Sequence, residues 1–287
     1  MKYISFMLFV FLYIVESVSQ EKKIKFQISP QFGIDYNKTS WSISGDIFGK
    51  SPDYLSELIW QNFNFSQGLE SSYTIDKYSL NMIISRSKTF KGDVSDTDYT
   101  ADGRNGMNYN ENFTSTNSTF LIFQLFPEYN LYKDRLFLNM GYNYISSHNM
   151  MNHSKNINSK YSWFLKGFKV GFKYNIKLSD KLNYSIKTDA LFNKYYARAD
   201  WILRNDLKHP ISFDHNTKSN FGINSLNSIN YVFNHKYSIS MRNSILYVRG
   251  KKGIDKTYLQ SGGILFTQLK DVKILNLESN FSFTASF

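Results

Sequence analysis

Asp96 and Asp98 stand two residues apart in the stretch Gly92-Asp93-Val94-Ser95-Asp96-Thr97-Asp98-Tyr99, and Asp102 follows shortly after. The chain as a whole has a formal net charge of +11, so acid gathered here is out of step with the rest. Two carboxylates held side by side repel each other. One then keeps its proton near neutrality and can act as an acid. The plainer reading of the same residues is a solvated polar loop. His148 and His153, five apart with Asn and Met between them, lack carboxylate or cysteine company and read as polar loop, not as a metal site. The chain has no cysteine, which excludes thiol chemistry and disulfides.

The elements that must position Asp96 and Asp98 show a period of two, not 3.6. Tyr78, Leu80, Met82 and Ile84 alternate with polar residues, as do Leu136, Leu138, Met140, Tyr142 and Tyr144. The same holds for Phe168, Val170, Phe172, Tyr174 and Ile176, for Tyr237, Ile239 and Met241, and for Phe281, Phe283, Ala285 and Phe287. Aromatic residues make up 17% of the chain, yet its mean hydropathy is −0.39. That combination predicts strands with one apolar and one wet face. Only four prolines interrupt it, which suits a sheet.

Tight connections are expected around 75–77, 132–135, 179–181 and 234–236. Longer polar loops are expected near 48–54, 91–112, 146–160, 203–218 and 250–262. Together they join ten strands. Short turns at one end and long loops at the other are the plan of an all-β, ten-stranded antiparallel transmembrane β-barrel of the bacterial outer membrane, with its loops facing outside. A soluble sandwich would leave too many Phe, Tyr and Ile outward. The opening MKYISFMLFVFLYIVESVSQ reads as a signal peptide over residues 1–19, which leaves 20–287 as a single barrel domain. Lys and Arg are spread along the chain, not clustered. The expected partner of this charge is outer-membrane lipid or a wet barrel wall, not nucleic acid. The residues carry no sign of oligomeric state.

Four stretches resemble the omptins, ten-stranded outer-membrane endopeptidases. Gly92 to Tyr99 is similar to the omptin loop in which a glycine precedes Asp-x-Asp and an aromatic. Asp200-Trp201-Ile202-Leu203-Arg204-Asn205-Asp206-Leu207-Lys208-His209 is similar to the Trp-led entry to the loop with the family's Asp-His pair. Ser56-Glu57-Leu58-Ile59-Trp60 resembles the Ser-x-Leu-x-Trp opening of strand two, and Tyr247-Val248-Arg249-Gly250-Lys251-Lys252-Gly253 the Lys-Lys-Gly turn into the last outer loop.

The resemblance implies cleavage of peptide or protein substrates at the cell surface by an activated water. Asp96 and Asp98 would form the dyad, His209 the base and Asp206 its orienting acid. No metal or cofactor is implied; an outer-leaflet glycolipid is the one accessory the family suggests. Several positions depart from the pattern. The family's Asp and His lie two apart, whereas Asp206 and His209 lie three apart. Either a bulge absorbs the slip, or Asp206 matches an upstream aspartate and the orienting acid is missing. His215 beside Asp214 is a rival for the base. The family's glutamate that grips a basic side chain falls at Trp41, and of its lipid A motif only Tyr142 is kept. The alternative function is a non-catalytic barrel of the same fold that serves as an adhesin or binding protein.

Overall fold

The computed structural model describes residues 24–153 and 158–287. The expected signal peptide, residues 1–19, lies outside the described residues. Eleven strands follow in order: β1 Ile24–Ile43, β2 Ser56–Ile75, β3 Tyr78–Ala101, β4 Asn105–Thr114, β5 Thr119–Tyr132 and β6 Leu136–Asn152; then β7 Asn158–Lys177, β8 Leu182–Asp200, β9 Phe213–Val232, β10 Tyr237–Tyr258 and β11 Ile264–Ser286. All pairings are antiparallel. The sheet closes on itself, since β1 pairs with both β2 and β11 and β6 pairs with β5.

The eleven segments make ten columns, as expected. β3 pairs with β5 along its first half, Tyr78 to Lys88, and with β4 from Asp93 onward. β4 and β5 are thus the upper and lower parts of one barrel strand, broken at Ser115 to Ser118. Closure removes the unpaired edges that an open sheet would present.

The four tight connections fall where the sequence places them. The outer segments do not stay loops, however. Residues 91–101 continue β3, 105–114 form β4, and 250–258 continue β10. β3 has 24 residues, where about 9–11 suffice to cross a bilayer. The excess length carries the hydrogen-bond ladder well past the membrane, because polar strand residues lose nothing by pairing there.

Side-chain alternation sorts the wall. Phe32, Phe65, Phe172, Phe221, Ile245 and Phe281 point outward and are exposed, which only a lipid surround makes favourable. Rings cluster at both margins of this belt. Tyr144, Phe164 and Tyr196 form a ladder at the outer edge, with centroids 6.1 and 5.4 Å apart. Tyr78–Tyr129 and Tyr237–Phe283, at 4.9 and 5.7 Å, mark the turn end. Such girdles sit at the interfaces of outer-membrane barrels.

The inside has two zones. Within the membrane it is polar and internally bonded: Asp35 accepts from Asn64 at 2.5 Å and Asn276 at 3.1 Å, and the buried Lys169 reaches Asp189 at 2.9 Å. Above the membrane the core is aromatic. Trp41, Trp60, Tyr161, Trp163, Tyr195 and Phe213 fill it, and Trp60 stacks on Tyr161 at 5.2 Å. This plug is the floor of the outer rim.

Candidate functional site

The site begins with a defect in β3. Asn64 pairs with Thr89 and Phe63 with Lys91, so Phe90 is left over as a bulge. Below it, odd-numbered residues such as Ser85, Ser87 and Thr89 face inward; above it, Gly92, Val94 and Asp96 do. A strand's side chains alternate with period two, so one extra residue swaps the faces. Without Phe90, Asp96 and Asp98 would point away from the barrel. Gly92 is needed just past the bulge. A Cβ there would lie 2.2 Å from Asn62 Oδ1 and 2.7 Å from the Ser115 carbonyl.

Of the acids in this stretch, Asp93 faces out and Asp102 serves the hairpin tip. The Asp53 amide donates to Asp102 at 2.8 Å, and the Gly103 amide donates to Asp53 at 2.7 Å. Arg104 forks onto Glu57 at 2.7 and 2.8 Å, tying the tip to β2. The hairpin is therefore braced against the loop at 44–55, and Asp96 and Asp98 sit on its inner face.

Asp96 pairs across the ladder with Glu111, and Asp98 with Tyr109. Burial pushes the Asp96 carboxyl up to about 7; Asp98 and Glu111 push the same way and Arg204 opposes them. Asp98 is raised by burial, offset by a hydrogen bond from Ser56 and by Arg204. Burial, then Glu111 and Asp96, raises the Tyr109 phenol, so it stays protonated and donates to Glu111. Two raised carboxyls, a third acid and a protonated phenol thus meet at one spot. The structure sets the two carboxylates singled out in the sequence on one face, with Glu111, which the sequence reading missed, opposite Asp96.

On the other side, β8 ends at Asp200 and the loop 201–212 runs back to β9. The loop is a series of turns. Arg204 N bonds Trp201 O at 3.1 Å and Leu207 N bonds Arg204 O at 3.0 Å. Ser212 closes it, receiving the Trp201 amide at 2.9 Å and donating to the Lys208 carbonyl at 3.1 Å. Trp201 anchors the loop on the plug, 5.3 Å from Phe213 and 6.5 Å from Trp60.

This folding corrects the expected Asp206–His209 pairing. Asp206 is exposed and forks onto Arg204 at 2.8 and 2.7 Å, which holds its carboxyl below the ordinary range. The acid at His209 is Asp200, whose Oδ1 lies 2.7 Å from His209 Nδ1. The awkward three-residue spacing is therefore moot, because the partner is nine residues upstream. A neutral ring that donates from Nδ1 to a carboxylate keeps its lone pair at Nε2. Arg204 belongs to this same loop and its charge is felt by both Asp96 and Asp98, so the loop and the β3–β4 hairpin lie near each other at the outer rim.

The rival pair dissolves. Asp214 and His215 are neighbours on β9 and so lie on opposite faces. Asp214 accepts from Tyr196 at 3.1 Å and Tyr258 at 2.8 Å. His215 is fully buried in the plug, where Nδ1 lies 2.8 Å from Tyr161 Oη and Nε2 lies 3.1 Å from Asp255 Oδ1. The second contact is at ion-pair distance but off the hydrogen-bond line. Tyr195 extends this network by a 2.5 Å contact with Tyr161. Trp41 sits 4.8 Å from His215 and belongs to the floor. His148 and His153 bond Ser162 and Ser159 at 2.8 and 3.0 Å.

Comparison with known proteins fits this architecture. The outer membrane protease OmpT from Escherichia coli superposes with a TM-score of 0.71 over 95% of this chain and 99% of that chain, at 9% identity. Neisserial surface protein A gives a TM-score of 0.33 at 9% identity over 90% and 95% of the two chains. The Pseudomonas putida toluene transporter TodX gives 0.33 at 8% identity over 94% and 91%. No curated protein matches the chain in sequence. At such low identity the OmpT likeness is one of fold. It agrees with the lipid-facing belt and the closed wall in making this a barrel of the bacterial outer membrane. Residues 123–287, more than half of the chain, match the family model described as "Pom: Protochlamydia outer membrane protein", and the chain therefore belongs to that outer-membrane protein family.

Proposed function

We propose that this barrel is an omptin-like surface endopeptidase whose reaction centre is the outer cleft between Asp96–Asp98 and Asp200–His209. The observation that carries the reading is the 2.7 Å Asp200–His209 contact, in a loop whose Arg204 charge acts on Asp96 and Asp98. In this mechanism Asp200 holds the imidazole and His209 Nε2 takes a proton from water. The water oxygen attacks the peptide carbonyl. The proton held at Asp96 hydrogen-bonds to the developing oxyanion. His209 then returns its proton to the leaving amine as the C–N bond breaks. Trp41 at the floor supplies no carboxylate to pair with a basic side chain.

The test is cleavage of a mixed peptide library by the protein refolded in lipid with outer-leaflet glycolipid, beside His209→Ala. We expect a loss on the order of 100-fold or more, the typical worth of a general base, with heat-modifiable barrel migration unchanged. Full activity in the variant would sink the mechanism.

A second reading, a non-catalytic binding barrel, is favoured by Arg204 itself. Its guanidinium partly neutralises the acid pair from the protein's own loop. No cleavage by an intact barrel in several lipids, including by Arg204→Ala, would favour that reading.

A further inference from the structure

The other end of the barrel holds a vestibule of about 650 Å³. Lys133, Asp134 and Arg135 of the β5–β6 turn line its mouth, so it opens at the tight-turn, periplasmic end. Lys187 and Phe126 line it deeper in the wall. In its deeper part the other cations can be matched one by one. Lys173 pairs with Glu128 at 2.5 Å, Arg242 pairs with Glu70, and Lys169, just behind, pairs with Asp189 at 2.9 Å. Lys187 forms no ion pair with any described residue. Its side chain is only 7% exposed, and its ammonium lies 3.7 Å from the Phe126 ring centroid. The same ring already receives Lys169 at 3.6 Å.

The carboxylates that act on Lys187 are Asp189, Glu128 and Glu70, and each is committed to another cation. A buried ammonium without an ion-pair partner of its own carries a desolvation cost that shared carboxylates and a ring face offset only in part. At the mouth Lys177 is paired with Asp180, and Lys133 and Arg135 outnumber Asp134, so the field draws negative charge inward. Hydroxyls of Ser240 and Ser282 supply further donors elsewhere in the vestibule lining.

We infer that the vestibule is a periplasm-facing anion site, in which Lys187 takes a small phosphate- or carboxylate-bearing anion. This site is separate from the outer cleft, and its test does not read proteolysis. Refolded protein is titrated with inorganic phosphate, and separately with acetate, at constant ionic strength. At least one should raise the thermal unfolding midpoint saturably, since a ligand that binds only the folded state stabilises it. The same anion should slow reductive methylation of Lys187 severalfold, read by peptide mass mapping. Lys177, which pairs with Asp180 at the rim, should change little. Lys187→Met should abolish the midpoint shift; it removes an incompletely compensated charge and so should still fold. The inference is overturned if neither anion shifts the midpoint or protects Lys187 in the unmodified protein, or if Lys187→Met keeps the shift.

Discussion

Asp96 shows how far a residue's chemistry is set by its neighbours. Its carboxyl titrates at about 7 instead of 3.8 because it is buried beside Asp98 and opposite Glu111. The consequence for stability has a definite sign. Below pH 3.8 Asp96 is protonated both folded and unfolded. As pH rises from there towards 7, the unfolded chain releases this proton and the folded one keeps it, so stability falls. The slope is about 1.4 kcal/mol per unit, and the whole loss over the rise from 3.8 to about 7 is on the order of 4 kcal/mol. Urea unfolding of the lipid-bound barrel between pH 4 and 8 should show this decline, and Asp96→Asn should flatten it. Parallel curves for the two proteins would contradict the assignment. Cleavage, under the proposed mechanism, should likewise fall above pH 7 as Asp96 loses the proton that meets the oxyanion.

At the scale of the element, the decisive feature is one surplus residue in β3. Phe90 packs outward against Phe65 at 4.5 Å, so the bulge is anchored by lipid-facing aromatic contact while it re-aims everything above it. The absence of native cysteine allows a direct test. A single cysteine in Asp96→Cys should react slowly with maleimide, being buried on the inner face. Deleting Phe90 in the same background should turn it outward and speed the reaction severalfold. Equal rates would show that the bulge does not set the phase. The loop 201–212 works similarly. Its turns let an acid at the end of one strand meet a histidine nine residues later, and no spacing rule for a single strand predicts that.

The whole molecule is a closed wall with a polar, ion-paired lower interior and an aromatic upper one. Ten columns leave a lumen that side chains can largely fill. Here Trp41, Trp60, Tyr161 and Trp163 fill the upper part, all at 5% exposure or less. The barrel should therefore show no unitary conductance steps in planar bilayers at moderate voltage. Regular openings would show that the plug moves aside. Removing a plug residue should cost stability as well as closure. Trp60→Ala, at a fully buried position that also supports Trp201, should lower unfolding stability by about 3–5 kcal/mol, measured by urea midpoint in lipid.

Much of this was written in the chain. Alternation of apolar and polar residues determined the strands, the lipid-facing side and the closed outer-membrane barrel, because period-two patterning acts locally and repeats on every strand. Short polar breaks at 76–77 and 133–135 marked the turns for the same reason. The acid pair at Asp96 and Asp98 could be read from its spacing and from the glycine and aromatic that flank it, although its stretch reads as a loop and folds as a strand. Which way it points was decided by the tertiary structure. The Phe90 bulge depends on pairing with β2, so it leaves no mark in β3's own sequence. Asp200 in place of Asp206, and Glu111 beside Asp96, likewise depend on how a loop returns and which strands become neighbours. Those contacts are long-range, and a linear pattern holds no measure of them.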